Sequence, residues 1–294
     1  MRQFILGTDW WTDCDDAVAI RLMARAHKRG DIDLLGIAIN ACMEYSAKSL
    51  EAYLRTEGIT DMPIGLDSDA MDFGRMPKYQ KRLSELPSRF SGNADAEDAL
   101  RLYRRLLANA DGQVEIAEIG YPQVLAALIE SPADDISDKT GMELIKEKVK
   151  CFWMMAGKWD EQGGRENNFC RNERASRAAA IVCEKCPVPI TFLGWEVGHS
   201  VITGGKLPEG DVLKQVIRDW GSENGRSSWD PMLVQLALTE NVEQAGYSAV
   251  YGKASIEAET GKNYFEKDEN GNRRYVIKEK EDGWYEELIN TLIQ

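Results

Sequence analysis

G-T-D-W-W-T-D-C-D-D-A-V-A-I, from Gly7 to Ile20, places four carboxylates, those of Asp9, Asp13, Asp15 and Asp16, within eight residues. Phe4, Ile5 and Leu6 run into it, and the helical spacing of Ala17, Ile20, Leu22 and Met23 leads out of it. The stretch therefore reads as a buried strand, a turn crowded with acid, and a helix. In an open α/β sheet, ligands gather at the carboxyl ends of the strands. Four carboxylates in a partly desolvated cleft repel one another unless a cation holds them. Oxygen-only donors favour Ca²⁺ or Mg²⁺ over Zn²⁺. The competing reading is a solvated acidic loop, since acidic side chains commonly complement a helix N-terminus.

Outward from this stretch, strands and helices alternate. L-L-G-I-A-I-N, ending at Asn40, is apolar without a break, as suits a parallel strand buried on both faces. A helix is expected from about Ser46 to Arg55 and a short strand from Met62. Between Asp67 and Asp95 the pattern dissolves into Gly, Pro, Ser and charge, which predicts a long loop over the site. Order returns with an amphipathic helix from Ala96, a strand from Val114, and a helix opening at G-Y-P-Q from Gly120. A buried strand from Lys148 empties into a polar loop holding Asp160, Glu166 and Asn168, and V-P-I-T-F-L-G-W-E ends at Trp195 and Glu196. W-D-P-M-L-V-Q-L-A-L puts Trp229, Asp230 and Pro231 in a helix's first turn. These features predict one α/β domain over residues 1–294, a doubly wound, mostly parallel sheet flanked by helices. A small C-terminal hairpin and helix, at about 246–294, is expected as an appendage.

The chain has 294 residues, 43% of them hydrophobic, enough for a sizeable core. Its net charge of -13 argues against nucleic acid or an anionic membrane surface as partners. With no apolar run long enough to span a bilayer and no leader-like start, a soluble, cytoplasmic protein is expected. The six cysteines are scattered, which fits a reducing compartment, and Cys183 and Cys186 read as two ordinary thiols because no second C-x-x-C or nearby His completes a metal site. Of the two histidines, His27 and His199, the first lies in a basic helix end and is expected at the surface.

Polar groups at predicted strand and helix ends make one list: Asp9, Asp13, Asp15, Asp16, Asn40, Gln123, Glu166, Asn168, Glu196 and Asp230. A ring of Asp, Asn and Glu offers acceptors and amide donors to a hydroxyl-rich ligand, so a sugar held beside a metal suits this chemistry.

At this point the chain resembles a known family, the inosine-uridine preferring nucleoside hydrolases. One branch opens with D-T-D-x-G-x-D-x-D-D-A, where this chain has G-T-D-W-W-T-D-C-D-D-A. G-Y-P-Q-V-L-A-A-L is similar to the family's G-x-L-T-N-L-A, M-M-A-G followed by R-E-N-N-F to its M-G-G followed by E-x-N, and S-W-D-P to its metal-binding Asp segment. The resemblance implies Ca²⁺-dependent hydrolysis of the N-glycosidic bond of a ribonucleoside or related N-ribosyl compound, in a dimer or tetramer. It implies Ca²⁺ ligands at Asp9, Asp16, Asp230 and the carbonyl of Gln123, with Asp9 as the base that activates water. It also implies that Asp15, Asn40, Glu166 and Asn168 hold the ribose hydroxyls.

The chain departs from the pattern at Gly7, where the motif has its first Asp, at Trp11, where it has Gly, and at Trp229, where purine-active members often have His. Trp195 and Trp229, with Glu196 beside them, are expected to contact the substrate. Trp10, Trp11, Trp195 and Trp229 would either stack on the departing base or pack in the core. Two other classes are weighed: a nucleoside- or sugar-binding protein of this fold with impaired catalysis, and a Mg²⁺ phosphohydrolase. The latter lacks a Gly-rich phosphate cradle after the first strand.

Overall fold

The computed structural model describes every residue except 75 and 76. In chain order the strands are β1 (Arg2–Thr8), β2 (Ile32–Ile39), β3 (Ile64–Leu66), β4 (Glu97–Asp98), β5 (Val114–Glu118), β6 (Val149–Met155), β7 (Ile190–Leu193), β8 (Ile202–Thr203), β9 (Arg226–Ser227), β10 (Tyr247–Ile256), β11 (Asn263–Lys267) and β12 (Arg273–Lys278). Ten of them form one sheet in the order β11-β10-β12-β7-β6-β5-β1-β2-β3-β4, while β8 and β9 pair separately. From β7 across to β4 every neighbouring pair is parallel. This is the mostly parallel, helix-flanked sheet that the alternating pattern predicts.

The central strand β1 is buried along Phe4, Ile5 and Leu6 because helices cover both of its faces. From β1 the chain builds outward through β2, β3 and β4 on one side, then restarts at β5 on the other. That reversal opens a crevice between the carboxyl ends of β1 and β5, where ligands bind in open α/β sheets.

The helix Asp15–Arg29 leaves directly from the acidic turn, with Asp15 and Asp16 in its first turn and His27, Lys28 and Arg29 in its last, as the helix dipole favours. It packs along the helix Trp229–Thr239, whose first turn carries Asp230. Two helix N-termini thus meet at the end of β1. The C-terminal strands, expected as a small hairpin, continue the main sheet, since β12 pairs in parallel with β7 and in antiparallel with β10.

The segment from Asp67 to Asp95 is more ordered than its composition predicts; residues 75 and 76 lie outside the described residues. It contains the helix Lys78–Ser84 and a short turn at Asn93–Asp95. Two buried aromatics anchor it. Phe73 stacks on Tyr121 at 4.0 Å, and the Tyr79 hydroxyl donates to the carbonyl of Asp13 at 2.9 Å. All six cysteines are free, and Cys183 and Cys186 are buried, their carbonyls capped by the Arg273 guanidinium. Among the described residues no helix is long and apolar enough to cross a membrane.

Candidate active site

At the end of β1 the chain turns sharply. Trp10 adopts a φ of +49°, a left-handed conformation that a bulky residue holds only where its surroundings fix it. They do: its indole is fully buried, donates to Ser49 Oγ at 2.8 Å, and lies 5.5 Å from each of the Tyr53 and Tyr79 rings. Gln80 Nε2 donates to its carbonyl at 2.6 Å. Trp11 is also buried, with Phe73 and Tyr121 in a small cluster under the Arg171 guanidinium. Both tryptophans of the turn therefore pack in the protein rather than line the cavity.

The turn presents its acids to a cavity of about 200 Å³. Asp9 Oδ1 accepts from the backbone N–H groups of Trp11 and Thr12 at 3.3 and 3.2 Å, and its Oδ2 accepts from the Thr12 hydroxyl. Asp16 accepts from the Thr8 hydroxyl and, at 3.1 Å, from Trp10 N–H. The backbone N–H of Asp230 donates to Asp15 Oδ2 at 3.1 Å, which ties the two helix N-termini together. Asp15, Asp16 and Asp230 each offer a carboxylate oxygen within 4.8 Å of the others. Asp9 lines the same cavity outside that group of three.

Burial pushes the Asp9 carboxyl up to about 6, against its hydrogen bonds from Thr12 and Trp11, and the charge of Asp13 adds to the rise. Asp15, Asp16 and Asp230 are raised well above the usual carboxylate range, first by burial and then by neighbouring carboxylates: Asp13 for Asp15, Asp9 and Asp15 for Asp16, and Asp15 and Asp16 for Asp230. Buried like charges of this kind need a counter-ion, a proton or a metal. The donor set is all oxygen and the helix N-termini add only partial positive charge, so these residues fit a hard divalent cation. Asp13 differs. Its carboxylate is gripped by Arg226, with Nε 2.8 Å from Oδ1, and that guanidinium lies 5.5 Å from the Trp229 ring centroid.

The opposite side of the cavity comes from the loop after β6 and the short helices that follow. Glu166 caps the helix Asn167–Cys170: its Oε1 accepts from Asn168 N–H at 2.8 Å and its Oε2 from Gly157 N–H at 3.0 Å. Burial raises Glu166 to about 7 despite those bonds. Asn168 Nδ2 donates to the carbonyl of Met155 at 2.8 Å. The indoles of Trp195 and Trp229 form the outer wall, joined where Trp229 Nε1 donates to the Trp195 carbonyl at 2.8 Å. His199 stacks on Trp195, ring centroids 4.5 Å apart.

The structure thus gathers Asp9, Asp15, Asp16, Glu166, Asn168, Trp195, Trp229 and Asp230 around one cavity. The side chains of Asn40, Glu196 and Gln123, the last expected as a ligand through its carbonyl, lie outside the cavity lining. Asn40 is buried behind the floor, donating to Glu118 Oε1 at 2.7 Å and accepting from Tyr121 N–H at 2.9 Å. Gln123 opens the helix Gln123–Glu130, its side-chain amide donating to the Asn40 carbonyl and the Asp67 carboxylate. Glu196 turns into a neighbouring cavity beside Asp160 and Lys278, where its carboxylate accepts from Trp159 N–H and burial raises it to about 7. Asp160 itself is exposed and paired with Lys158.

Sequence reasoning missed Thr12, Tyr121, Arg226 and Glu118. Thr12 Oγ1 and the Tyr121 hydroxyl are 2.8 Å apart, and Asn167 Nδ2 donates to the same hydroxyl at 3.1 Å. Glu118 is fully buried at the end of β5, and desolvation, with the charge of Asp9 adding, lifts its carboxyl to about 8. The two glutamates of V-E-I-A-E-I, Glu115 and Glu118, inside a strand buried on both faces were the signal available for it.

No protein-family model matches the chain, and no curated protein matches it in sequence. Solved structures do match in fold. The inosine-uridine preferring nucleoside hydrolase from Bacillus anthracis aligns over 100% of this chain and 99% of its own, with 14% identity and a TM-score of 0.73. The plant nucleoside hydrolase PpNRh1 aligns over 99% and 98%, with 15% identity and a TM-score of 0.74. The type III effector protein XopQ, solved with adenosine diphosphate ribose, aligns over 99% and 93%, with 14% identity and a TM-score of 0.70. The chain has the nucleoside hydrolase fold.

Proposed function

We propose that the protein hydrolyses the N-glycosidic bond of a ribonucleoside or related N-ribosyl compound and depends on Ca²⁺. One observation carries the reading. Four buried carboxylates, Asp9, Asp15, Asp16 and Asp230, meet Glu166, Asn168 and two indoles around a single cavity at the switch point of the sheet. The fold's solved neighbours, described as nucleoside hydrolases, support it.

The ion would be held by Asp16 and Asp230, with Asp15 drawn into the same cluster and Asp9 and the carbonyl of Gln123 completing the set implied by the resemblance. When bound, it neutralises the carboxylates and polarises water. Asp9, fixed by the backbone N–H groups of Trp11 and Thr12, would take a proton from the attacking water. Departure of the base, which takes its proton from solvent water, leaves positive charge on the ribose, an oxocarbenium-like transition state that the fixed carboxylates of the floor stabilise more than the ground state. Glu166 has lone pairs left after its two backbone bonds and can accept from a ribose hydroxyl. Trp195 and Trp229 provide faces for the base.

The test is a product assay over a panel of purine and pyrimidine nucleosides, with and without a Ca²⁺ chelator. Release of free base and ribose that the chelator abolishes is expected. Turnover unchanged by exhaustive chelation would remove the metal from the proposal.

A second reading, a nucleoside- or sugar-binding protein without turnover, is favoured by one observation: among the described residues no histidine lines the cavity to protonate a departing base. Calorimetry showing tight ribose or nucleoside binding, with no product after days, would decide for it.

A further inference from the structure

Gly7 and Glu118 are register partners on the parallel strands β1 and β5, one residue before Thr8 and at the last position of β5. Their relation is unusual for neighbours in a sheet. A Cβ built on Gly7 would fall 2.1 Å from Glu118 Oε2 and 2.6 Å from its Oε1. The glutamate therefore folds over the α-carbon of residue 7 and fills the volume that a side chain there would take. Position 7 is where the resembling motif carries its first Asp, and a carboxyl group is present at that place after all, delivered from the adjacent strand.

The group is not idle there. Its Oε1 accepts from Asn40 Nδ2 at 2.7 Å and from Gly120 N–H at 3.0 Å. Asn40 Oδ1 in turn fixes the Tyr121 backbone at 2.9 Å, the Tyr121 hydroxyl meets Thr12 Oγ1 at 2.8 Å, and Thr12 N–H donates to Asp9 Oδ1 at 3.2 Å. Gly120 completes the close approach of the two strand ends, since a Cβ on it would lie 2.3 Å from Asp9 N. Glu118 Oε2, by contrast, is buried and makes no well-formed hydrogen bond among the described residues, although the buried Tyr103 hydroxyl is near enough to interact with the carboxyl. A buried polar atom left without a good hydrogen bond destabilises the fold. An apolar residue would avoid that cost, so the glutamate is accounted for by what its other oxygen holds.

We infer that Glu118 is a positioning residue, replacing from β5 the carboxyl group that β1 lacks at Gly7, and that through Asn40, Tyr121 and Thr12 it sets the orientation of Asp9. Only the kinetic arm of the test below rests on the hydrolase reading.

The experiment is a double-mutant cycle in the full-length protein: Gly7→Asp, Glu118→Ala and the pair combined, with Glu118→Gln as the conservative control. Each is followed by thermal denaturation and by nucleoside turnover. Gly7→Asp alone should lower the melting temperature sharply, because Glu118 already fills its space. Glu118→Ala should lower kcat about 10- to 100-fold, the scale of a displaced catalytic group, while KM changes about threefold or less. Glu118→Gln keeps the shape and an acceptor oxygen and should stay within about threefold of the parent. In the combined variant the new aspartate enters the vacated space, so it should be more stable than Gly7→Asp and turn over faster than Glu118→Ala. Losses that simply add in both readouts, or a Glu118→Ala variant with the parent's kcat, would overturn the inference. If Gly7→Asp does not fold, recovery of a folded protein in the combined variant supports the exchange, and failure to recover refutes it. If the parent hydrolyses no nucleoside, the hydrolase reading fails by itself and the melting temperatures alone decide this one.

Discussion

On the floor of the cavity Asp9, Asp15, Asp16 and Asp230 are all buried, whereas on its outer wall Trp195 remains 39% exposed and Trp229 half-buried. The floor is held from behind by backbone N–H groups, two helix N-termini and the Trp10 anchor, while the wall is joined by one indole-to-carbonyl bond and carries His199 on its outer face. On the proposed function, the difference separates two tasks. Rigid, like-charged groups with their positions fixed in advance suit a reaction that develops positive charge, because no reorganisation is needed as it forms. A half-exposed aromatic surface has few fixed polar groups and suits recognition of a flat base. Arg226 sits at the join, neutralising Asp13 while covering Trp229.

The largest expected effect comes from breaking the floor at its base. Asp9→Ala should lower kcat by about 10²–10⁴-fold, the usual contribution of a positioned general base. Circular dichroism and the melting temperature would show that the fold survives, and turnover undiminished in a folded variant would end the assignment of Asp9. Next comes the cation. With Ca²⁺ at about 100 times its Kd, linkage predicts stabilisation of about 2.7 kcal/mol, read as a rise in melting temperature that Asp230→Asn should abolish. An equal rise in parent and variant would place the ion elsewhere.

Breaking the wall should be milder and of a different kind. Trp195→Ala removes one face offered to the base, and stacking of a base on an aromatic side chain contributes about 1–3 kcal/mol. We expect KM to rise about 5- to 100-fold with kcat altered far less. A variant that loses kcat instead, at constant KM, would move Trp195 from recognition to chemistry.

The same contrast explains what could be read from the sequence. The strand, acidic turn and helix over 7–20 were legible because their periodicity and charge are local, and Asp230 because W-D-P opens a helix. Arg226 reaches Asp13 across 213 residues of chain, and Tyr121 reaches Thr12 across 109, so no window of sequence contains either pair. The segment after Asp67 read as loop because its anchoring falls on a few buried aromatics, Phe73 and Tyr79 among them, a signal too sparse to stand out against Gly, Pro and charge. For Trp10 the sequence leaves two readings open, a face for the base or a core residue. Its left-handed backbone and full burial make it the anchor of the turn. Asn40 and Gln123 lie at strand and helix ends as expected, with their side chains in the packing behind the floor, where Glu118 of V-E-I-A-E-I meets Asn40.

The smallest effect expected is a slope. The Glu118 carboxyl, ordinarily near 4.5, stands at about 8 in the fold, chiefly through burial. Below pH of about 4.5 both folded and unfolded chains hold its proton, and its contribution to stability is complete. As pH rises from there to about 8 the unfolded chain gives up the proton and the folded one keeps it, so stability is lost by up to about 1.4 kcal/mol per pH unit. Asp9, at about 6, and Glu166 and Glu196, each at about 7, act in the same direction but over narrower windows. Denaturant unfolding of the parent and of Glu118→Gln, in chelator and in steps between about pH 5 and 8, isolates the one group as the difference between two curves. The parent's curve should fall more steeply, with the gap in slope persisting to about pH 8; the other raised carboxyls are common to both proteins and cancel in the difference. Parallel curves across the whole range would mean that Glu118 is already ionised in the fold, and that the seam between β1 and β5 carries a full charge beside Asp9 rather than a neutral acid.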